Sequence, residues 1–420
     1  MLKRKEKFLI GAATAAHQVE GNNKNSDFWV MENIEGTPFK EPSLDAVDHY
    51  NRFPQDIELL AKAGLNAYRF SIEWARIQPE EDIFDDSEIE HYKKVLEYCY
   101  DFNVTPIVTL HHFTSPKWII SKGGWKNRAI IDYFSKYVEY VVKKLGNLTP
   151  YICTINEANI GLQITRIMED INSNLRKIDI QVGMDEEFLR QRDLYMEKLK
   201  DTFRVEEINT FLTPRSIEEN RLIFECHKKA REIIKSINPN IKIGITLSLW
   251  DYKILPGGEK FVEKLQREDF IEWLPYLKDD DFIGVQNYSQ KTYGEEGVIA
   301  EPNMRTTLMG YKFCPEALSN VIRFVSKYWD KPILVTENGI STEDDKERVE
   351  FIIRAIAGIY QCLEEGINLI GYIHWSLLDN FEWQLGFSQK FGLIAVDRNT
   401  QKRYPKHSLY LLGDICKFAF

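Results

Sequence analysis

The chain has 420 residues, 44% of them apolar and 28% charged, and a formal net charge of −10. That balance describes a folded chain with a large core. The negative total argues against a general nucleic-acid binder, which needs a positive field, and weakly against a strongly anionic substrate. No apolar run approaches the roughly 20 residues of a membrane-spanning helix. The six cysteines, Cys99, Cys153, Cys226, Cys314, Cys362 and Cys416, are scattered without metal-ligand spacing, so reduced thiols and a cytoplasmic location are expected.

At the N-terminus, Lys3-Arg4-Lys5 followed by Phe8 to Ala13 imitates a secretory leader. The apolar stretch is short, Thr14 interrupts it, and His17-Gln18-Val19-Glu20-Gly21 reads as part of a folded site. The expectation is a first strand. Pro54 is then expected to open a helix at a first-turn position, Gly64 to close it, and Ala67 to Ser71 to extend. Ile89, Tyr92, Leu96 and Cys99 mark the buried face of a helix before the strand Thr105–Leu110. Tyr137, Val138, Val141 and Leu145 repeat that face, Gly146 stops it, and Tyr151 to Ile155 extends. Later, Val349, Ile352, Ile353, Ile356 and Leu363 form a stripe ended by Gly366, before a strand from Leu369 to Ile373.

Eight strands result, near 8–13, 67–71, 105–110, 151–156, 242–248, 282–286, 333–336 and 369–375. Strands alternating with helices imply parallel pairing. Eight such units close into an α/β (β/α)₈ TIM barrel, expected as one catalytic domain over 1–420. The alternative, an open doubly wound sheet, lacks a glycine-rich phosphate loop after its first strand. The stretch of about 166–240 is too long for one crossover. Its charged middle, Asp185 to Asn209, reads as an insertion after strand four, either a lid or rim or a plain surface excursion.

Barrel chemistry sits at the carboxyl ends of strands. Gln18, Arg69, His111, His112, Asn156, Glu157, Gln286, Asn287, Tyr288, Glu337 and Trp375 stand at or near those ends. The run Pro332-Ile333-Leu334-Val335 delivers Glu337 just before Asn338-Gly339, which are expected to turn the chain at once. Amides, carboxylates, imidazoles and indoles suit a neutral polyhydroxylated ligand, and Glu157 and Glu337 suggest two acids facing one substrate. His111-His112 does not suggest a metal, because neighbours on a strand point to opposite faces; one of the two is expected to pack. Trp375, Phe381 and Trp383 read equally well as core. Glu73 and Asp379 are read as structural ion-pair partners.

Five stretches together resemble glycoside hydrolase family 1, the β-glucosidase type. They are Phe8 to Gly21, Tyr68 to Ile77, Thr154-Ile155-Asn156-Glu157, Val335-Thr336-Glu337-Asn338-Gly339, and Trp375 to Trp383, in family order over nearly the whole chain. The resemblance implies a retaining exo-β-glycosidase acting on β-glucosides, and also on β-galactosides or β-fucosides, with no metal or cofactor. The implied partner is a small β-glycoside or oligosaccharide, not nucleic acid or a membrane. Glu337 would be the nucleophile and Glu157 the general acid/base. Gln18, His112, Asn156, Glu382 and Trp383 would hold sugar hydroxyls, and Trp375 would be the stacking platform. Arg69 and Tyr288 would flank the nucleophile, with Gln286 in support. Retaining pairs of carboxyls sit about 5–5.5 Å apart.

The chain departs from the family pattern in places. Ala158 replaces the usual proline after the acid, Gln286 the usual asparagine, and Phe113 a common tryptophan; Asn287 also differs. Alanine leaves the backbone of Glu157 freer than proline would. Members that cleave 6-phosphorylated glycosides replace the acid found here as Glu382, so unphosphorylated substrates are expected. The alternatives are a 6-phospho-β-glycosidase, a barrel that binds a sugar or small ligand with weak catalysis, and transglycosylation to an acceptor other than water.

Overall fold

The computed structural model describes residues 7–177, 186–301 and 303–419. Its central sheet contains β1 (Leu9–Ala13), β2 (Ala67–Ser71), β3 (Thr105–His111), β4 (Tyr151–Ile155), β5 (Lys242–Gly244 continuing as Thr246–Ser248), β6 (Ile283–Gln286), β7 (Ile333–Asn338) and β8 (Leu369–Trp375). Every pairing in it is parallel. Lys242–Gly244 pairs with β4 and Thr246–Ser248 with β6. The sheet order therefore starts and ends on β5, and eight strands close into a barrel.

Strands buried on both faces read as unbroken apolar runs, which is why their positions are legible in the sequence. Helices His49–Ala63, Asp86–Asp101, Ile130–Leu145, Ile217–Ile237, Glu259–Asp269, Ala317–Ser326, Asp345–Glu364 and His407–Phe418 follow successive strands. Each buries one face. Leu9–Ala13, within the leader-like segment, is the expected first strand, paired to both β2 and β8.

Some expectations need correction. Pro54 does not open its helix, which begins at His49 behind a left-handed Asp48 (φ 52°). The Asp48 carbonyl takes the amides of Asn51 and Arg52 at 3.3 and 3.0 Å, so the cap is made by backbone that the composition does not mark. Three short strands, Asp251–Ile254, Gln290–Gly294 and Gly297–Ile299, form a separate sheet that was not anticipated. They are short and partly exposed, so they lack the apolar run that reveals a barrel strand. Between β4 and β5 lie helices Ile160–Lys177 and Glu186–Phe203. Asp185, where the charged insertion was expected to begin, lies outside the described residues.

Candidate active site

Glu337 and Glu157 arrive by different backbone devices. In β7, Val335 pairs with Val285, but the next pair is Glu337 with Gln286, so Thr336 is an extra residue. Such a bulge bends the strand and re-aims the following side chain. The strand runs on through Asn338 rather than turning there. Asn338 donates to the Asn287 carbonyl at 2.7 Å and accepts from the Tyr372 hydroxyl at 3.1 Å, which ties it into the barrel end. Gly339 is required because a Cβ there would lie 2.0 Å from the Trp375 carbonyl oxygen.

Glu157 follows β4 in a left-handed conformation, φ 44°. Its amide donates to Thr246 Oγ1 at 2.9 Å, and the Ala158 amide donates to the Thr246 carbonyl at 3.1 Å. Proline at 158 would have no amide to give. The departure at Ala158 thus fits the local backbone.

A cavity of about 310 Å³ at the strand ends is lined by both glutamates. His112, Asn156, Gln286, Tyr288, Trp375, Glu382 and Trp383 line it too. Glu337 is held on both oxygens: Arg69 Nη1 donates to Oε1 and the Tyr288 hydroxyl to Oε2, each at 2.6 Å. Burial pushes its pKa up, and the Arg69 charge and the two hydrogen bonds oppose that. Glu157 makes no ion pair among the described residues. Burial, and then the charge of Glu337, push its carboxyl up to about 8. The same two causes push Glu382 up to about 8. Of the two facing acids, Glu337 therefore ionises first and Glu157 keeps its proton.

Asn156 organises the floor. Its Oδ1 accepts from Arg69 Nη2 at 2.6 Å, Gln286 Nε2 at 2.8 Å and Thr246 Oγ1 at 3.1 Å. That leaves Nδ2 to donate to His112 Nε2 at 3.2 Å. The His112 proton then sits on Nδ1, which is buried without a protein partner. Burial, followed by the charge of Arg69, holds this imidazole neutral, well below its usual range. His112 stacks between Trp375 and Trp383, at ring distances of 5.6 and 6.3 Å. Trp383 stacks in turn on His17 at 5.9 Å.

Gln18 and Arg69 stand behind the cavity wall. Gln18 Nε2 donates to the Phe381 carbonyl at 2.7 Å and reaches Glu382 Oε2 at 3.4 Å, while its Oε1 is buried without a partner. His111 packs away from the cavity, with Nε2 at 3.1 Å from Ser115 Oγ and its ring 4.5 Å from Trp125. Phe381 packs with Phe28 and Phe39 in a separate buried cluster. Asp379 pairs with Lys406 at 2.9 Å, as expected. Among the described residues Glu73 does not form the ion pair expected of it: it accepts from the Ala75 amide at 3.1 Å and from Thr114 Oγ1 at 2.7 Å. It caps the short helix Trp74–Ile77, a role its position just before that helix signals.

Thr246 and the cavity residues Ile160, Gln163, Ile164, Trp250, Met309 and Tyr311 were not anticipated. Thr246 reads as an ordinary strand residue. The two isoleucines have helical spacing, which in a sequence reads as core.

The family model for glycosyl hydrolase family 1 matches residues 3–169 and 276–419. The solved β-glycosidase BGL167 superposes with a TM-score of 0.89 at 39% identity, covering 99% of this chain and 97% of that one. A 1,4-β-D-glucan glucohydrolase of Thermotoga neapolitana is 28% identical over 99% of each chain. A 6-phospho-β-galactosidase 1 of Streptococcus pneumoniae is also 28% identical, over 96% of each. The described residues contain no helix long and apolar enough to cross a membrane. The matched segments carry the barrel strands that present both glutamates, and the chain belongs to glycosyl hydrolase family 1.

Proposed function

We propose that the chain hydrolyses unphosphorylated β-glucosides with retention, through a covalent glycosyl-enzyme. The observation that carries this reading is the unequal treatment of two acids in one cavity. Glu337 is gripped by Arg69 and Tyr288, whereas Glu157 has no ion pair among the described residues and its carboxyl is pushed up to about 8.

In the first step an oxygen of Glu337 bonds to the anomeric carbon as the bond to the leaving oxygen breaks. The Glu157 proton passes to that oxygen. The ester at Glu337 removes its negative charge, so the support for the raised pKa of Glu157 falls. Glu157 then takes a proton from water as the water oxygen attacks the anomeric carbon. Glu337 departs as carboxylate, and two displacements restore the original configuration. His112, Asn156, Glu382 and Trp383 hold the sugar hydroxyls and Trp375 stacks on the ring. Gln18 acts from behind by orienting Glu382, and Gln286, in the cavity wall, orients Asn156.

The kinship to a 6-phospho-β-galactosidase is as close in identity as that to the glucan glucohydrolase, and the cavity lining supports the unphosphorylated substrate. Three glutamates line it, and no lysine or arginine does among the described residues. A phosphate dianion would find no counter-charge there. β-Galactosides and β-fucosides are further substrates on this reading, and the cytoplasm is its expected location.

The test is a panel of nitrophenyl β-glycosides, free and 6-phosphorylated, with wild type and Glu337→Gln. Hydrolysis of the free glucoside that the variant loses supports the reading. Equal turnover by the variant, or turnover of the phosphorylated substrate alone, overturns it. Sugar binding with no turnover between pH 4 and 8 would instead establish a binding barrel.

A further inference from the structure

The leaving group of the first step must lie beside Glu157, because that acid protonates its oxygen. Helix Ile160–Lys177 begins three residues after Glu157 and forms that side of the cavity. Its cavity face is apolar. Ile160, Ile164 and Ile167 follow the spacing of one helix face and all line the cavity. Leu212 adds to the apolar lining of the cavity. Ile167 is 48% exposed, so the stripe continues outward to solvent.

Gln163, the polar side chain of this helix that lines the cavity, is already engaged. Gln163 Nε2 donates to the Ser248 carbonyl at 2.8 Å, and its Oε1 accepts from Trp250 Nε1 at 3.1 Å. The helix is also anchored from its other faces. Arg166 bonds Glu268 at 3.2 Å and Asp269 at 2.5 Å, and Thr165 Oγ1 donates to the Arg215 carbonyl at 2.9 Å. The floor around Asn156 is the opposite: His112 Nδ1 and Gln286 Oε1 are buried there without partners.

Resting on the proposed function, we infer that the leaving group this site selects is an apolar alcohol, with an alkyl chain laid along Ile160, Ile164 and Ile167, rather than a second sugar. Seven residues of helix rise span roughly 10 Å, comparable to an extended octyl chain. A second sugar laid on this wall would bring hydroxyls against three isoleucine side chains, which offer them no hydrogen bond.

The n-alkyl β-glucosides test this cleanly, because methyl, butyl and octyl leaving groups differ little in acidity. Each methylene the wall covers is worth about fourfold, so kcat/KM is expected to rise at least about tenfold from methyl to octyl. Octyl glucoside is expected to exceed cellobiose. In Ile164→Gln and Ile167→Gln the ratio of octyl to methyl kcat/KM falls by about fourfold or more. A ratio within one variant is insensitive to the fraction folded. A flat alkyl series, cellobiose preferred over octyl glucoside, or a ratio unmoved in both variants overturns the inference. If nitrophenyl β-glucoside is still turned over in that case, the proposed function stands. If it is not turned over either, the function falls as well.

Discussion

Replacing Ala158 by the proline usual in the family should damage this enzyme. Glu157 has φ 44°, and the Ala158 amide donates to the Thr246 carbonyl at 3.1 Å. Proline deletes that donor and leaves a buried carbonyl oxygen short of a partner, at a cost of about 1–3 kcal/mol. Its ring also pushes the preceding residue toward extended conformations, away from the one Glu157 adopts. Together these suggest roughly 2–4 kcal/mol. With an unfolding entropy of about 2.1 cal/mol/K per residue over 420 residues, Tm should fall by roughly 2–5 °C, read by calorimetry. Activity carries the sharper signature. An acid displaced by about 1 Å can cost on the order of a hundredfold, but only where the leaving group needs its proton. Alkyl glucosides should therefore lose far more kcat/KM in Ala158→Pro than dinitrophenyl glucoside. Unchanged Tm with equal kcat/KM for both substrate types would refute the account of this turn.

Glu337→Gln should lower kcat/KM for nitrophenyl glucoside by roughly 10³-fold or more, and a burst-free residual rate within tenfold of wild type would contradict its role. Tyr288→Phe removes one of two charge-assisted bonds to Glu337, so its pKa should rise. The acid limb of the kcat/KM profile then moves to higher pH, with a loss of about tenfold or more. The alkaline limb should lie near pH 8, where Glu157 loses its proton. Glu382, also raised to about 8, makes the folded state bind more protons than the unfolded one between its unfolded value of about 4.5 and 8. Its contribution to stability is therefore full below the lower value and is lost as pH rises to the upper one. Glu382→Gln should raise Tm relative to wild type more at pH 8 than at pH 5, and a pH-independent difference would count against the shift.

How much of this was legible depended on what each residue must do. The strands bury both faces, so their apolar runs stand out and place Glu157 and Glu337 at strand ends. The bulge at Thr336 was invisible, because nothing in Val-Thr-Glu-Asn announces an extra residue; only the registers against β6 and β8 show it. Thr246 was equally silent. A threonine in a strand is ordinary until its hydroxyl is found accepting the Glu157 amide and donating to Asn156. The isoleucines after Glu157 carried the spacing of a buried helix face, and periodicity cannot distinguish a face covered by protein from one that lines a cavity. Glu73 was misread because an acid near a strand end suggests a cation, whereas here it takes an amide and a hydroxyl.

The site's charge state hangs on one buried cation. Arg69 holds Glu337 through Nη1 and Asn156 through Nη2. The first contact opposes the upward push of burial and so favours the ionised form of Glu337, the proposed nucleophile. The second turns the Asn156 amide so that it donates to His112, which fixes the imidazole tautomer and leaves Nδ1–H free for a hydroxyl. The ionised Glu337 then supports the protonated states of Glu157 and Glu382 across the cavity. In the proposed mechanism Glu337 becomes an ester and its charge disappears from both neighbours at once. Glu157 would then turn into a base when water needs one, and Glu382 would become a better acceptor for the sugar hydroxyls assigned to it. A single covalent event thus resets two acids through the field alone, with no backbone movement required.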